Sequence, residues 1–226
     1  MLAVIKKELK SYLLSPIGYI FIGLFLLMFS LLFYITVFYY RSVYFEYAFY
    51  DAATIITFVV PVLTMRMFSE ERRNGTEQLL LTSPRSLTSI VLGKFIAAMI
   101  IVLITIAGTL IHLAILTHFG SPDLKVAAVT LIGFFLLAAA YVSFGMFASS
   151  ITENQIVACV LTIGVFIAMM FLPNVFPIFE SFSLMSMFYH FPAGVIAFDE
   201  VIMFVSFTIL FILLTILVLQ RRKSVK

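Results

Sequence analysis

Three histidines, eleven acidic residues and one cysteine are the main candidates for chemistry in this chain, and their spacing assembles no site. His112 and His118 stand six residues apart, which puts them on different faces of a helix, and His190 is far away in sequence. Zinc needs ligands that converge, as in H-E-x-x-H, and that pattern is absent. Glu70-Glu71 begins like the E-E-x-x-x-R of one intramembrane protease class, but Gly75 stands where the arginine belongs. Cys159 lies in an apolar run, with no second cysteine for a disulfide, and reads as a small core or lipid-facing residue. No G-x-x-x-x-G-K-[ST] loop occurs, so the chain has no phosphate-binding loop for ATP. No carboxylate pair falls inside an apolar run. An enzyme is not expected, nor any catalytic, metal or cofactor site on this chain, and nothing points to a nucleic-acid partner.

The elements that would position any site are membrane spans. Hydrophobic residues make up 63% of the chain, charged residues 11%, and the mean hydropathy is +1.18. Soluble domains carry about 25% charge. A helix crosses the hydrocarbon core with about 20 apolar residues. Six stretches qualify, at about 17–40, 52–68, 87–117, 126–149, 156–171 and 201–219, so the expected fold is an all-α integral membrane protein of one domain over 1–226. The second span is short, carries Pro61 and Arg66, and can begin earlier, inside VYFEYAFY. The Tyr39–Tyr50 region reads as interfacial anchoring or as a cargo contact.

Residues 1–15 have their own pattern. Leu2, Ile5, Leu9, Tyr12 and Leu13 share one helical face, and Lys6, Lys7 and Lys10 cluster beside it. This is the pattern of an amphipathic helix lying in the headgroup region, broken from the first span at Ser15-Pro16, or else of a simple extension of that span. The same lysines argue against a signal peptide, so this segment is expected to be retained.

Lys and Arg set the orientation. Lys6, Lys7 and Lys10 precede the first span. Arg66, Arg72, Arg73, Arg85 and Lys94 surround the loop between the second and third. Arg221, Arg222, Lys223 and Lys226 follow the last. That is twelve of fourteen basic residues, leaving Arg41 and Lys125 for the other side, and the positive-inside rule puts both termini and this loop in the cytoplasm. Arg66 and Lys94 lie near cytoplasmic ends, where long side chains can snorkel or meet a substrate. Glu46, Asp123 and Glu200 fall on the outer side and read as solvated loop charge.

The loop Ser69–Ser86 is the most polar stretch of its length. Asn74-Gly75 either ends the helix of the second span, or Asn74 caps a new helix with Glu77 three residues on. Thr76–Thr82 has room for about two turns of helix, Ser83-Pro84 stops it, and Ser86 can cap the third span. Leu79, Leu80 and Leu81 give this short helix an apolar surface, suited either to a partner's groove or to dipping into the bilayer.

The stretch ERRNGTEQLLLTSPRSLTSIVLGK, Glu71 to Lys94, resembles the cytoplasmic loop of ABC-2-type transporter permeases. Glu71, Gly75, Thr76, Leu79, Leu80, Ser83, Pro84, Gly93 and Lys94 carry the match, with Glu77 one residue before the family's acidic position. The leading KKELKSYLLSP is similar to the family's interfacial helix, and SLMSMFYHFPAGVIAFDEV, Ser183 to Val201, to the gliding-motility and copper-processing branch. The resemblance implies the membrane half of an exporter in a bacterial plasma (inner) membrane. It implies pairing with a second copy or a related permease, and with two copies of a separate ATP-binding subunit that holds ATP and magnesium. That subunit would dock on the Thr76–Thr82 coupling helix, the docking residues running from Glu71 through Gly75, Thr76, Glu77, Leu79, Leu80, Leu81, Thr82 and Ser83 to Pro84. In the family spans two and five line the path, and Pro173–Ala197 is similar to its short outer helices. The alternative expectation is a non-transporting anchor for an ATPase of an envelope or motility machine. Substrate identity is not legible in these residues.

Overall fold

A computed structural model describes residues 1–39, 44–81, 85–176 and 183–225, with the backbone alone at Leu80, Leu81 and Val225. The expectations that fall on Arg41, Thr82, Ser83, Pro84, Pro177 and Lys226 therefore lie outside the described residues. Helix α1 (Leu2–Leu14) ends at Ser15, whose extended backbone turns the chain into α2 (Pro16–Tyr34). Proline suits that first helical position because its missing N–H would be unpaired there anyway. A π-helical turn, Ile35–Tyr39, completes the first long apolar helix. Then come α3 (Tyr47–Thr64), the short α4 (Ser69–Arg73) and α5 (Glu77–Leu81), α6 (Leu87–Phe119), α7 (Leu124–Ile151), α8 (Gln155–Val175), the short α9 (Leu184–Phe188) and α10 (Phe198–Val225).

Among the described residues six helical stretches are long and apolar enough to cross a membrane, and no strand occurs. This is an all-α integral membrane protein. The second stretch does begin inside the aromatic run, at Tyr47. Helix starts follow local chemistry. The Ser86 hydroxyl accepts from the Ser89 N–H at 3.3 Å, Asp123 accepts from Lys125 and Val126, and Asn154 accepts from Ile156, each pairing a backbone donor that the first helical turn leaves free.

The bundle has an inner and an outer set. In α3, α6 and α7 more than half of the apolar window is buried, against 22% in the first span, 17% in α8 and 22% in α10. Helix α7 is central and packs on α3, α6, α8 and α10. The outer faces carry large apolar side chains such as Leu27, Leu31, Ile156, Val160, Ile209 and Leu213, as lipid contact requires. Helix α2 turns one stripe inward: Phe21, Phe25, Phe29 and Phe33, spaced by four, are all buried. Phe29 meets Phe49 of α3 at 4.8 Å between ring centroids, and Phe134 of α7 meets Phe49 at 5.1 Å and Phe25 at 5.6 Å. These rings join α2, α3 and α7 through tilted and edge-on contacts.

Glycines set two close approaches. A Cβ on Gly145 of α7 would lie 2.2 Å from the Thr64 hydroxyl of α3. A Cβ on Gly133 would lie 2.2 Å from the ring of Phe191, in the segment between α9 and α10. That segment is fastened further: the Tyr50 hydroxyl donates to the Tyr189 carbonyl at 3.1 Å, the Thr130 hydroxyl reaches the Phe191 carbonyl at 3.5 Å, and His190 pairs with Glu200. Glu200 and Glu46 are buried, so the reading of both as solvated loop charge is corrected. Burial raises the carboxyl pKa of Glu46, because the charged form loses hydration. We predict that Gly133→Ala, whose Cβ already forces Phe191 out of place, costs about 1–3 kcal/mol; the check is a lower thermal midpoint for the detergent-solubilised variant than for the unsubstituted protein.

Candidate functional site

The charged segment after α3 gathers most of the ion pairs among the described residues at one end of the bundle. Helix α3 stops at Thr64, and residues 65–68 form turns before α4. Helix breaks inside an apolar bundle leave backbone groups in need of partners. Ser149, near the end of α7, supplies them. Its hydroxyl oxygen accepts the N–H of Phe68 at 3.0 Å and of Ser69 at 3.1 Å, and its own O–H donates to the Met65 carbonyl at 3.0 Å. The Ser69 hydroxyl donates to the same carbonyl. Nothing in the sequence singled out Ser149, because its role exists only where α7 crosses the broken helix.

Helix α4 ends at Asn74, followed by Gly75 with φ of +71°. Of the two readings of Asn74, the helix end is the one observed. Gly75 occupies the left-handed region that costs other residues about 1–2 kcal/mol, and the Thr76 hydroxyl closes the turn on the Glu71 carbonyl at 3.1 Å. Glycine and threonine thus aim α5. Helix α5 covers Glu77–Leu81, within the expected Thr76–Thr82. Leu79 is 73% exposed.

Lys94 lies about 10 Å along α6 from its start. It does not snorkel. Only 2% of the residue is exposed, and its ammonium donates to Glu8 of α1 at 3.1 Å and to Glu71 of α4 at 3.0 Å, over the ring of Phe68 at 5.2 Å. Lys7 adds looser pairs to Glu8 at 3.7 Å and Glu71 at 3.6 Å. Two cations thus face two carboxylates. Arg66 does not snorkel either. Its guanidinium donates to Ser11 at 3.0 Å and Ser15 at 3.3 Å, pairs with Glu70 at 3.1 Å and lies over the Tyr12 ring. Burial, with Glu8 nearby, raises the Tyr12 pKa and keeps the phenol neutral. Helix α1 is therefore gripped at its middle by Lys94 and at its end by Arg66.

The expected apolar face of α1 is narrower than the helical wheel suggests. Ile5 and Tyr12 are buried and Leu9 is partly so, while Leu2 and Leu13 are exposed with Leu14. Lys6, Lys7 and Lys10 are on the exposed side.

Two more pairs complete the joint. Arg72 pairs with Glu153 in the α7–α8 turn at 2.6 Å and donates to the Ile151 carbonyl. Glu77, 8% exposed, pairs with Arg222 near the end of α10 at 3.0 Å. Between them opens a recess of about 590 Å³, lined by Arg72, Glu77, Glu153, Arg221 and Arg222. Of the expected docking residues the structure brings Glu71, Gly75, Thr76, Glu77 and Leu79 together here. It adds Glu8, Arg66, Lys94, Ser149, Glu153 and Arg222, which sequence spacing did not join. Among the described residues no group of His, Cys, Asp and Glu could hold a metal.

Elsewhere, His112 of α6 bonds Ser30 of α2 at 2.8 Å, edge-on to Phe29 and Phe33. This polar contact links two spans in an otherwise apolar layer.

The fold and this joint define a polytopic membrane protein whose loop between the second and third spans is fastened by ion pairs to α1, α6, the α7–α8 turn and α10. Comparison with protein families matches residues 33–219 to the ABC-2 family transporter protein. That match covers most of the chain, and the protein belongs to the ABC-2 family, the membrane component of ABC transporters. No curated protein matches the chain.

We predict that Lys94→Met destabilises the protein by about 3–5 kcal/mol, since two carboxylates are left without their buried cation. Adding Glu8→Gln and Glu71→Gln should recover most of the loss; equal thermal midpoints for single and triple variants would deny the coupling. Ser149→Ala should cost about 1–3 kcal/mol by stranding two amides, read from the same melting curves.

Proposed function

We propose that this chain is the permease half of an ATP-driven exporter, and that the α4–α5 joint receives work from a separate ATP-binding subunit. The observation that carries the proposal is the set of ion pairs radiating from the joint. Lys94 ties it to α1 and α6, Glu153 to the α7–α8 turn, and Arg222 to α10. A displacement of α5 is therefore shared by most of the bundle rather than absorbed in a loose loop. The exposed Leu79, with Leu80 and Leu81 beside it in sequence, supplies apolar surface for a groove on the partner. The recess lined by Arg72, Glu77, Glu153, Arg221 and Arg222 flanks α5 and offers a second contact, where Arg221 is left over after the Arg72–Glu153 and Arg222–Glu77 pairs.

In this reading two ATP-binding subunits hold ATP and magnesium, and two copies of this chain, or this chain and a relative, form the membrane part. On the same reading the protein lies in a bacterial plasma membrane with the joint and both termini in the cytoplasm, an orientation that the excess of basic residues on that side supports. ATP draws the motor subunits together, α5 follows, and the spans rock between two arrangements. Pro61 within α3 and Pro173 within α8 interrupt the helical ladder in the two spans that would line the path. The Pro173–Ala197 stretch, similar to the family's short outer helices, would act as a lid on the outside.

The test is co-purification. Leu79→Asp and Leu80→Asp should each lower recovery of the ATP-binding subunit about tenfold, a loss of the size expected for one apolar anchor, and undiminished recovery with both would end the docking proposal. A static anchor would bind the same subunit without transport, so stimulation of its ATPase by the reconstituted membrane part separates the two readings. Reversing one charge, Glu77→Arg or Arg222→Glu, should uncouple that stimulation, and the double reversal should restore it.

A further inference from the structure

Away from the joint, at the other end of the bundle, His190 pairs with Glu200, and the two partners sit in unlike surroundings. Glu200 lies in the first turn of α10 and is 5% exposed, whereas the His190 side chain is 63% exposed. Glu200 Oε2 is buried with no hydrogen-bond partner among the described residues. The charged groups that act on Glu200 are His190 and its chain neighbour Asp199, which is exposed. A carboxylate in this position has lost most of its water, and the imidazole is the cation set against its charge.

The other contacts of the segment between α9 and α10 involve no ion pair. From α7, the Thr130 hydroxyl reaches the Phe191 carbonyl, Gly133 lies under the Phe191 ring, and Val126 backs Gly194. From α3, Tyr50 stacks on Tyr189 and donates to its carbonyl, with Tyr47 and Glu46 as its own titratable neighbours. From α10, Phe204 meets Phe191 at 6.0 Å between centroids. Inside the segment the N–H groups of Ala193 and Val195 both donate to the His190 carbonyl at 3.1 Å, and that of Gly194 donates to the Phe191 carbonyl at 2.9 Å. Gly194, with φ of +80°, makes the turn possible. His190 is thus the root of the turn: its carbonyl holds the turn together, and its side chain holds the turn to α10.

We propose that the His190–Glu200 pair is a proton-operated catch, which fastens the α9–α10 segment to α10 in mild acid and loosens it as the pH rises past neutrality. Imidazoles as a class change charge between about pH 5 and 8. Below that range His190 is charged and keeps its charge in water, while Glu200 is its counter-ion or a neutral acid, and burial tolerates both. Above that range the imidazole is neutral, and the carboxylate keeps a buried charge with no cation beside it. Opening the segment returns Glu200 to water, so the open form gains population as the proton leaves. The stabilisation is therefore present on the acid side and lost on the alkaline side. The proposal concerns this fastening alone, and it stands whether or not the segment is a lid or an ATP-binding subunit docks on α5.

The test is hydrogen–deuterium exchange of the full chain in mild detergent, read by mass spectrometry across the histidine range, about pH 5 to 8, with each rate divided by the intrinsic amide rate at that pH. We expect protection of the Ala193, Gly194 and Val195 amides to fall about tenfold from the acid to the alkaline end, the difference between a charge-assisted and a neutral hydrogen bond. Amides of α7 should keep their protection. Glu200→Gln, neutral at every pH, and His190→Gln, with no titrating ring, should each abolish the fall. Should Glu200→Gln fail to fold, His190→Gln at its exposed position decides the matter. Tyr50→Phe should lower protection at every pH and leave the fall intact, and Glu46→Gln should leave it intact as well. Constant protection across the range, protection that rises with pH, a fall that survives His190→Gln, or a fall removed by Glu46→Gln would each overturn the proposal.

Discussion

The joint at this end of the bundle depends on one buried ammonium. Lys94 sits within a membrane span, where an unpaired charge would be expelled or neutralised. It is tolerated because Glu8 and Glu71 reach it from two other elements. Bringing these three groups together is not cheap, since each loses its water, and close contact with several partners is what offsets that cost. The consequence is positional. A buried ion pair has few acceptable geometries, so α1, α4 and α6 are held in one register. Apolar packing alone, which tolerates sliding, would define that register less sharply.

The same logic extends around the joint. The break between α3 and α4 would leave bare amides, and Ser149 satisfies them from α7. The left-handed turn at Gly75 would splay freely, and Thr76 closes it on Glu71. Arg72 and Glu77 reach the α7–α8 turn and the end of α10. Polar groups are expensive near lipid, and many of those described here fix this loop. The opposite end is held by different means: aromatic rings, Tyr50 on Tyr189 and Phe191 against Gly133, with the pair His190–Glu200. One end is thus fastened electrostatically and the other mainly by shape.

Such a division suits a protein of the ABC-2 family. Under the proposed coupling, a surface that passes on force must be stiff where it is pushed. Helices α8 and α10 bury little of their apolar surface within the chain, which leaves most of it for contacts outside the chain.

The sequence by itself determined the class, the number of spans and the ends of most helices. Runs of apolar residues longer than a bilayer is thick have few alternatives, and Ser15-Pro16 and Ser86 act on neighbouring backbone, so their effects are local. It also marked the Glu71–Glu77 turn, because a glycine needing positive φ and a following hydroxyl form a short-range signature. The partners of Arg66, Lys94, Arg72 and Glu77 were not legible. Snorkelling and pairing are equally open to a lysine near a helix end, and the choice rests on whether a carboxylate from elsewhere arrives within 3 Å. Glu8 and Glu71 are 86 and 23 residues from Lys94 in the chain. Only the tertiary structure decided that meeting, because a charge's fate in a membrane is set by what surrounds it in space, and one-dimensional spacing does not carry that information.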